Sequence, residues 1–144
     1  MKTVSILFFL TIALLASDNK DIMRAQILEK IISNISINET VTVWSDNKEL
    51  LAELKKSTHI ITSNDCAKAT VIILENKEKI HDDACKNKPI FVLEYNLLKE
   101  LPKSFGAFFW KKGRPNIVII EPRIESQNIS VSKELKVYVE EKVW

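Results

Sequence analysis

The chain carries two glycines, Gly106 and Gly113, and both fall within residues 105–121. Glycine is the residue that adopts left-handed backbone freely and lets the main chain approach a ligand closely. A dinucleotide fingerprint needs three glycines in a strand–helix turn, so that backbone can meet a pyrophosphate. A P-loop needs two ahead of a Lys and a Ser or Thr. The turn after the first expected strand reads Ser45-Asp46-Asn47-Lys48 and supplies neither. Standard nucleotide sites are therefore excluded, and both glycines are left for backbone duty in one place. That place holds two apolar runs, Phe105 to Trp110 and Asn116 to Ile120, split by Lys111-Lys112-Gly113-Arg114. The pattern predicts a β-hairpin.

The stretches before it alternate between helical and strand periods. Ile27, Leu28, Ile31, Ile32 and Ile35 recur at helical spacing, which predicts a sheet-covering helix over 21–36. Thr40 to Trp44 is β-branched and short, so a strand. Ser45 or Asp46 can cap a following helix that carries Leu50, Leu51 and Leu54. Further strands are expected at 59–62, 70–74 and 88–93, with a helical turn at 96–101. Val71 to Leu74 is apolar on both sides, which suits a buried parallel strand. After Pro122, Ser132 can cap a last helix with Leu135, Val137, Tyr138, Val139 and Val143. The expected fold class is α/β: a small mixed sheet, with parallel strands plus a C-terminal antiparallel hairpin, flanked by helices.

Residues 1–17 read as a signal peptide. Lys2 precedes an apolar run from Val4 to Ala16, and Asp18 to Asp21 is abruptly polar. The run is short for a bilayer of about 30 Å, although an uncleaved anchor is the alternative because Leu14 or Leu15 would occupy the −3 position. Residues 18–144 then form one domain. The expected location is the periplasm. In an oxidising compartment Cys66 and Cys85 pair by default, closing a loop of about 20 residues. A net charge of +2 is too small to argue for nucleic acid.

Catalytic sets are thin, and the expectation is a protein that is not an enzyme and has no cofactor or metal. His59 opens an apolar strand and reads as a partly buried structural residue. His81 lies among Lys79, Asp82 and Asp83 and reads as solvated. No G-x-S-x-G elbow selects a nucleophilic Ser. Asn34, Asn38 and Asn128 each open an N-x-S/T pattern, which would be idle in the bacterial setting that a Lys-, Asn- and Ile-rich composition suggests.

Four stretches together carry a family resemblance. They are Met23 to Ile31, Val41 to Asp46 with Leu50 to Leu54 behind it, and Cys66 to Leu74. The fourth is Phe105 to Phe109 with Gly113-Arg114 and Asn116 to Ile120, followed by Ile129-Ser130-Val131-Ser132-Lys133-Glu134-Leu135. In that order they resemble the YfiR/HmsC-like periplasmic proteins. The chain departs from that pattern in having Phe105-Gly106 where the family has a double glycine. The resemblance implies a small α/β domain that restrains a membrane-bound diguanylate cyclase by binding its periplasmic part. The expected function is thus an exported regulatory domain acting through surface contacts. Its candidate contact residues are Phe108, Trp110, Lys111, Lys112 and Arg114, because aromatics and Arg are favoured at interface hot spots. A homodimer is compatible with this reading. The alternative is a periplasmic small-ligand-binding domain serving a transporter or sensor, with its ligand at the strand ends near Ser45, Asp46 and Asn64. A thiol-redox enzyme would need Cys66 and Cys85 to be reactive.

Overall fold

The computed structural model describes residues 20–144. The expected signal peptide at 1–17 lies outside them. The order of elements is α1 (Lys20–Ser33), β1 (Ile35–Ser36), β2 (Thr42–Ser45), α2 (Lys48–Lys55), β3 (Ile61–Thr62), β4 (Val71–Leu74), α3 (Asp83–Lys86), β5 (Ile90–Val92), α4 (Tyr95–Glu100), β6 (Ser104–Lys111), β7 (Arg114–Ile120), α5 (Glu121–Ser126), β8 (Ser130–Val131) and β9 (Val139–Glu140). Short 3₁₀ turns occur at Cys66–Lys68, Lys77–Lys79 and Lys136–Tyr138.

Seven strands form one sheet in the order β3-β2-β4-β5-β6-β7-β9. From β3 to β6 all neighbours are parallel, β6 and β7 are antiparallel, and β9 lies parallel to β7. The expected mixed α/β sheet is therefore present. Its central strands β4 and β5 are apolar on both faces, as parallel strands are when helices cover them. On one face Leu28, Ile31 and Ile32 of α1, Leu50 and Leu54 of α2, and Ile124 of α5 pack on Val43, Val71, Ile73 and Phe91. On the other, Ile80, Cys85, Leu97 and Leu98 pack on Ile72, Leu74, Ile90 and Val92. All of β4 is buried.

The Cys66–Cys85 disulfide is formed, with Cα atoms 5.6 Å apart. It ties the Cys66–Lys68 turn to α3, whose N-cap Asp82 accepts a hydrogen bond from the Ala84 N–H. At the start of α2 the cap is Asn47, one residue later than expected, and its Oδ1 accepts from the Leu50 N–H at 3.0 Å. Asp46 is freed for another task. Its carboxylate accepts from the backbone N–H groups of Glu75 at 2.8 Å and Asn76 at 2.9 Å, stapling the end of β2 to the end of β4.

The closing helix expected after Ser132 is absent. Ser132 donates from backbone and hydroxyl to Asn34, beside a small ribbon in which β1 pairs antiparallel with β8. The chain then makes a 3₁₀ turn, and β9 adds to β7 with Val139 opposite Ile119. The reason is visible in the side chains. Val137 is 79% exposed and Tyr138 39%, so the apolar residues here do not share one buried helical stripe. Val and Tyr favour strand, and the open edge of β7 offers partners. Pro122 sits in the first turn of α5, where a missing N–H costs nothing.

Candidate functional site

The hairpin turns on Lys112 (φ 52°) and Gly113 (φ 75°), with Lys111 opposite Arg114 and Trp110 opposite Pro115. Two successive left-handed residues twist the chain as the flanking strands require. The turn projects Lys111, Lys112 and Arg114 into solvent. None of the three lies within ion-pair distance of a carboxylate among the described residues. Trp110 is 40% exposed at the base of this tip, its ring edge-on to Phe108 with centroids 5.7 Å apart. Phe108 itself is 1% exposed. It belongs to the core, and as folded it cannot touch a partner, which corrects its place among the candidate contacts. The pleat sends Phe109 to the opposite face, against Tyr95 at 5.1 Å. A cleft of about 700 Å³ runs there between Tyr95, Phe109, Lys111 and Trp144. The outer edge of the hairpin includes Pro115, which brings no N–H for strand addition.

The second candidate region lies at the carboxyl ends of the parallel strands. The chain goes from β2 outward to β3 and then back past β2 to β4, so strand order reverses between β2 and β4. Such a switch point leaves a crevice that α/β folds commonly use for ligands. Ser45, Asp46 and Asn64 come together beside it, on the β3 side of β2, around a cleft of about 380 Å³ with Trp44, Lys48 and Lys55. Each is engaged in holding the fold: the Ser45 hydroxyl accepts from the Asn47 N–H, Asp46 staples β4, and the Asn64 side-chain oxygen accepts from the Lys55 ammonium. The crevice at the switch point itself is larger, about 770 Å³, and is lined by Asn47 after β2, Glu75 after β4, and Glu94 and Glu100 among others. Behind it the buried Arg24 guanidinium stands 3.3 Å from Glu75 and 3.5 Å from Asp21, and the Asn47 amide donates to Glu75 at 2.7 Å. Sequence reading missed this network. Arg24 reads as the polar face of α1, and only its partner Glu75, far along the chain, explains its burial.

His59 is exposed and precedes β3, rather than being a partly buried strand residue, and His81 is exposed as expected. Among the described residues no three His, Cys, Asp or Glu side chains gather closely enough to hold a metal ion. No helix among them is long and apolar enough to cross a membrane. No family model matches the chain, and no curated protein matches it.

Proposed function

We propose that this chain is an exported, non-enzymatic interaction domain that regulates a membrane-bound signalling protein by seating its hairpin tip on the partner's periplasmic part. The observation that carries this reading is the set of unpaired cations Lys111, Lys112 and Arg114 around the half-exposed Trp110. Exposed cations contribute little to stability. Beside one another, Trp110 and Arg114 are of the residue types that dominate binding energy, and the two lysines add charge that steers an acidic partner. The complementary partner surface is acidic with an apolar socket. The disulfide is compatible with an extracytoplasmic location. The resemblance of four stretches to the YfiR/HmsC-like proteins supports a partner of the diguanylate cyclase kind. The test is a pull-down of the mature domain against the periplasmic region of a membrane cyclase or kinase encoded beside it. Capture that disappears in Trp110→Ala with Arg114→Ala supports the reading, and capture unchanged in that variant removes it.

The cleft beside the switch point favours a second reading, a small-ligand-binding domain acting near Ser45, Asp46 and Asn64. Thermal shifts with a metabolite panel separate the two, since a ligand that binds the native state raises stability by mass action. Its weakness is that those polar groups already have partners within the chain.

A further inference from the structure

We propose that the second face of the sheet carries a binding site for a small amphipathic carboxylate, of the kind of a short fatty acid, between α3 and α4. A pocket of about 280 Å³ lies there, just below the range of about 300–1,000 Å³ of drug-sized ligand sites, which suits a smaller molecule. Leu74 of β4 and Ile90 of β5 form its closed floor, and Leu101 and Pro102, just past α4, form an apolar wall. The rim is cationic: Lys77, Lys86 and Lys103. No carboxylate lines it.

The three lysines are not equivalent. Lys77 is already held by Glu100 at 2.8 Å. The ammonium groups of Lys86 and Lys103 make no ion pair and no hydrogen bond among the described residues, and both side chains are exposed. An apolar body on Leu101 and Pro102 with a carboxylate between Lys86 and Lys103 satisfies both halves of the pocket. A neutral apolar molecule leaves the cations unused, and a strongly polar anion gains nothing from the floor. The neighbouring strand-end cleft is less suited to such a ligand, because carboxylates such as Glu75, Glu94 and Glu100 outnumber the lysines Lys48, Lys77 and Lys79 on its walls. The wall that bears Lys86 is preset: Cys85, the preceding residue of α3, is bonded to Cys66. A site whose wall is fixed before binding spends less of its interaction energy on ordering.

The site uses none of the hairpin residues, so its fate is independent of the partner reading. The experiment is a methyl NMR titration of the oxidised domain with sodium hexanoate and, separately, with hexan-1-ol. The expected result is saturable shifts at Ile90 and Leu101 with hexanoate, and an affinity about tenfold lower or worse in Lys86→Glu with Lys103→Glu. Hexan-1-ol should bind weakly, and equally to both proteins, which also reports that the variant is folded. Absence of saturable shifts at Ile90 and Leu101 in the unaltered domain would overturn the proposal. So would a charge-reversed variant that binds hexanoate as tightly as the parent.

Discussion

Gly106 and Phe91 face each other across β5 and β6 with no room for a side chain between them. A Cβ on Gly106 would stand 2.9 Å from Phe91 Cε2 and 2.8 Å from the backbone oxygen of Val118. The ring can shift, but the carbonyl belongs to the β7 backbone and cannot without disturbing the hairpin. Phe91 is also packed against Phe105, with ring centroids 5.6 Å apart. Gly106→Ala should therefore destabilise the domain by about 1–3 kcal/mol, as overpacking of a tight core does. Urea denaturation at equilibrium measures it, and an unchanged midpoint contradicts the packing described.

Lys112 occupies a left-handed position that Asn or Gly fills at lower cost. Lys112→Asn creates the Asn-Gly pair favoured in this turn and should raise stability by about 0.5–1 kcal/mol. If the tip is a contact surface, the same change should weaken partner capture. Thermal denaturation and the pull-down, read together on this one variant, check both halves.

The disulfide closes a loop with a sequence separation of 19. Cys66→Ala with Cys85→Ala should lower unfolding free energy by about 3 kcal/mol in the chain-entropy account. Reducing agent should produce a similar loss in the unaltered chain and none in the variant.

Asp46 gives a pH signature. Burial, with a smaller push from the Glu75 carboxylate, outweighs the backbone N–H groups around it and raises its carboxyl above the ordinary value of 3.8. The folded chain then holds this proton more tightly than the unfolded chain does. Its contribution to stability accordingly falls as pH rises from 3.8 through the raised folded value, and is constant above it. Asp46→Asn should remove that slope while losing one acceptor for the Glu75 and Asn76 N–H groups. The difference between the two stability–pH curves isolates it, and parallel curves across the acid range would refute the assignment.

Much of this fold is legible in the residues. Val71 to Leu74 declares a doubly covered strand because nothing polar interrupts it, and Lys112-Gly113 between apolar runs declares the hairpin. What stays hidden depends on distant partners. Asp46 looks like a helix cap until β4 arrives with two free N–H groups. The segment from Leu135 to Val143 looks helical in isolation, and only the open edge of β7 turns part of it into β9. The candidate contacts divide the same way. Exposure of Lys111, Lys112 and Arg114 follows from the turn itself, whereas the burial of Phe108 and exposure of Trp110, two residues apart on one face, depend on where the covering helices stop.

We propose the hairpin tip as the surface by which this domain meets its partner. Titration calorimetry of the oxidised domain against the partner's periplasmic region tests it most directly, comparing the unaltered chain with Trp110→Ala plus Arg114→Ala. The expected loss of affinity is about a hundredfold or more, with the double variant still folded at the titration temperature by circular dichroism, although its midpoint falls because the Trp110 ring packs on Phe108. Equal affinity for both proteins would contradict it.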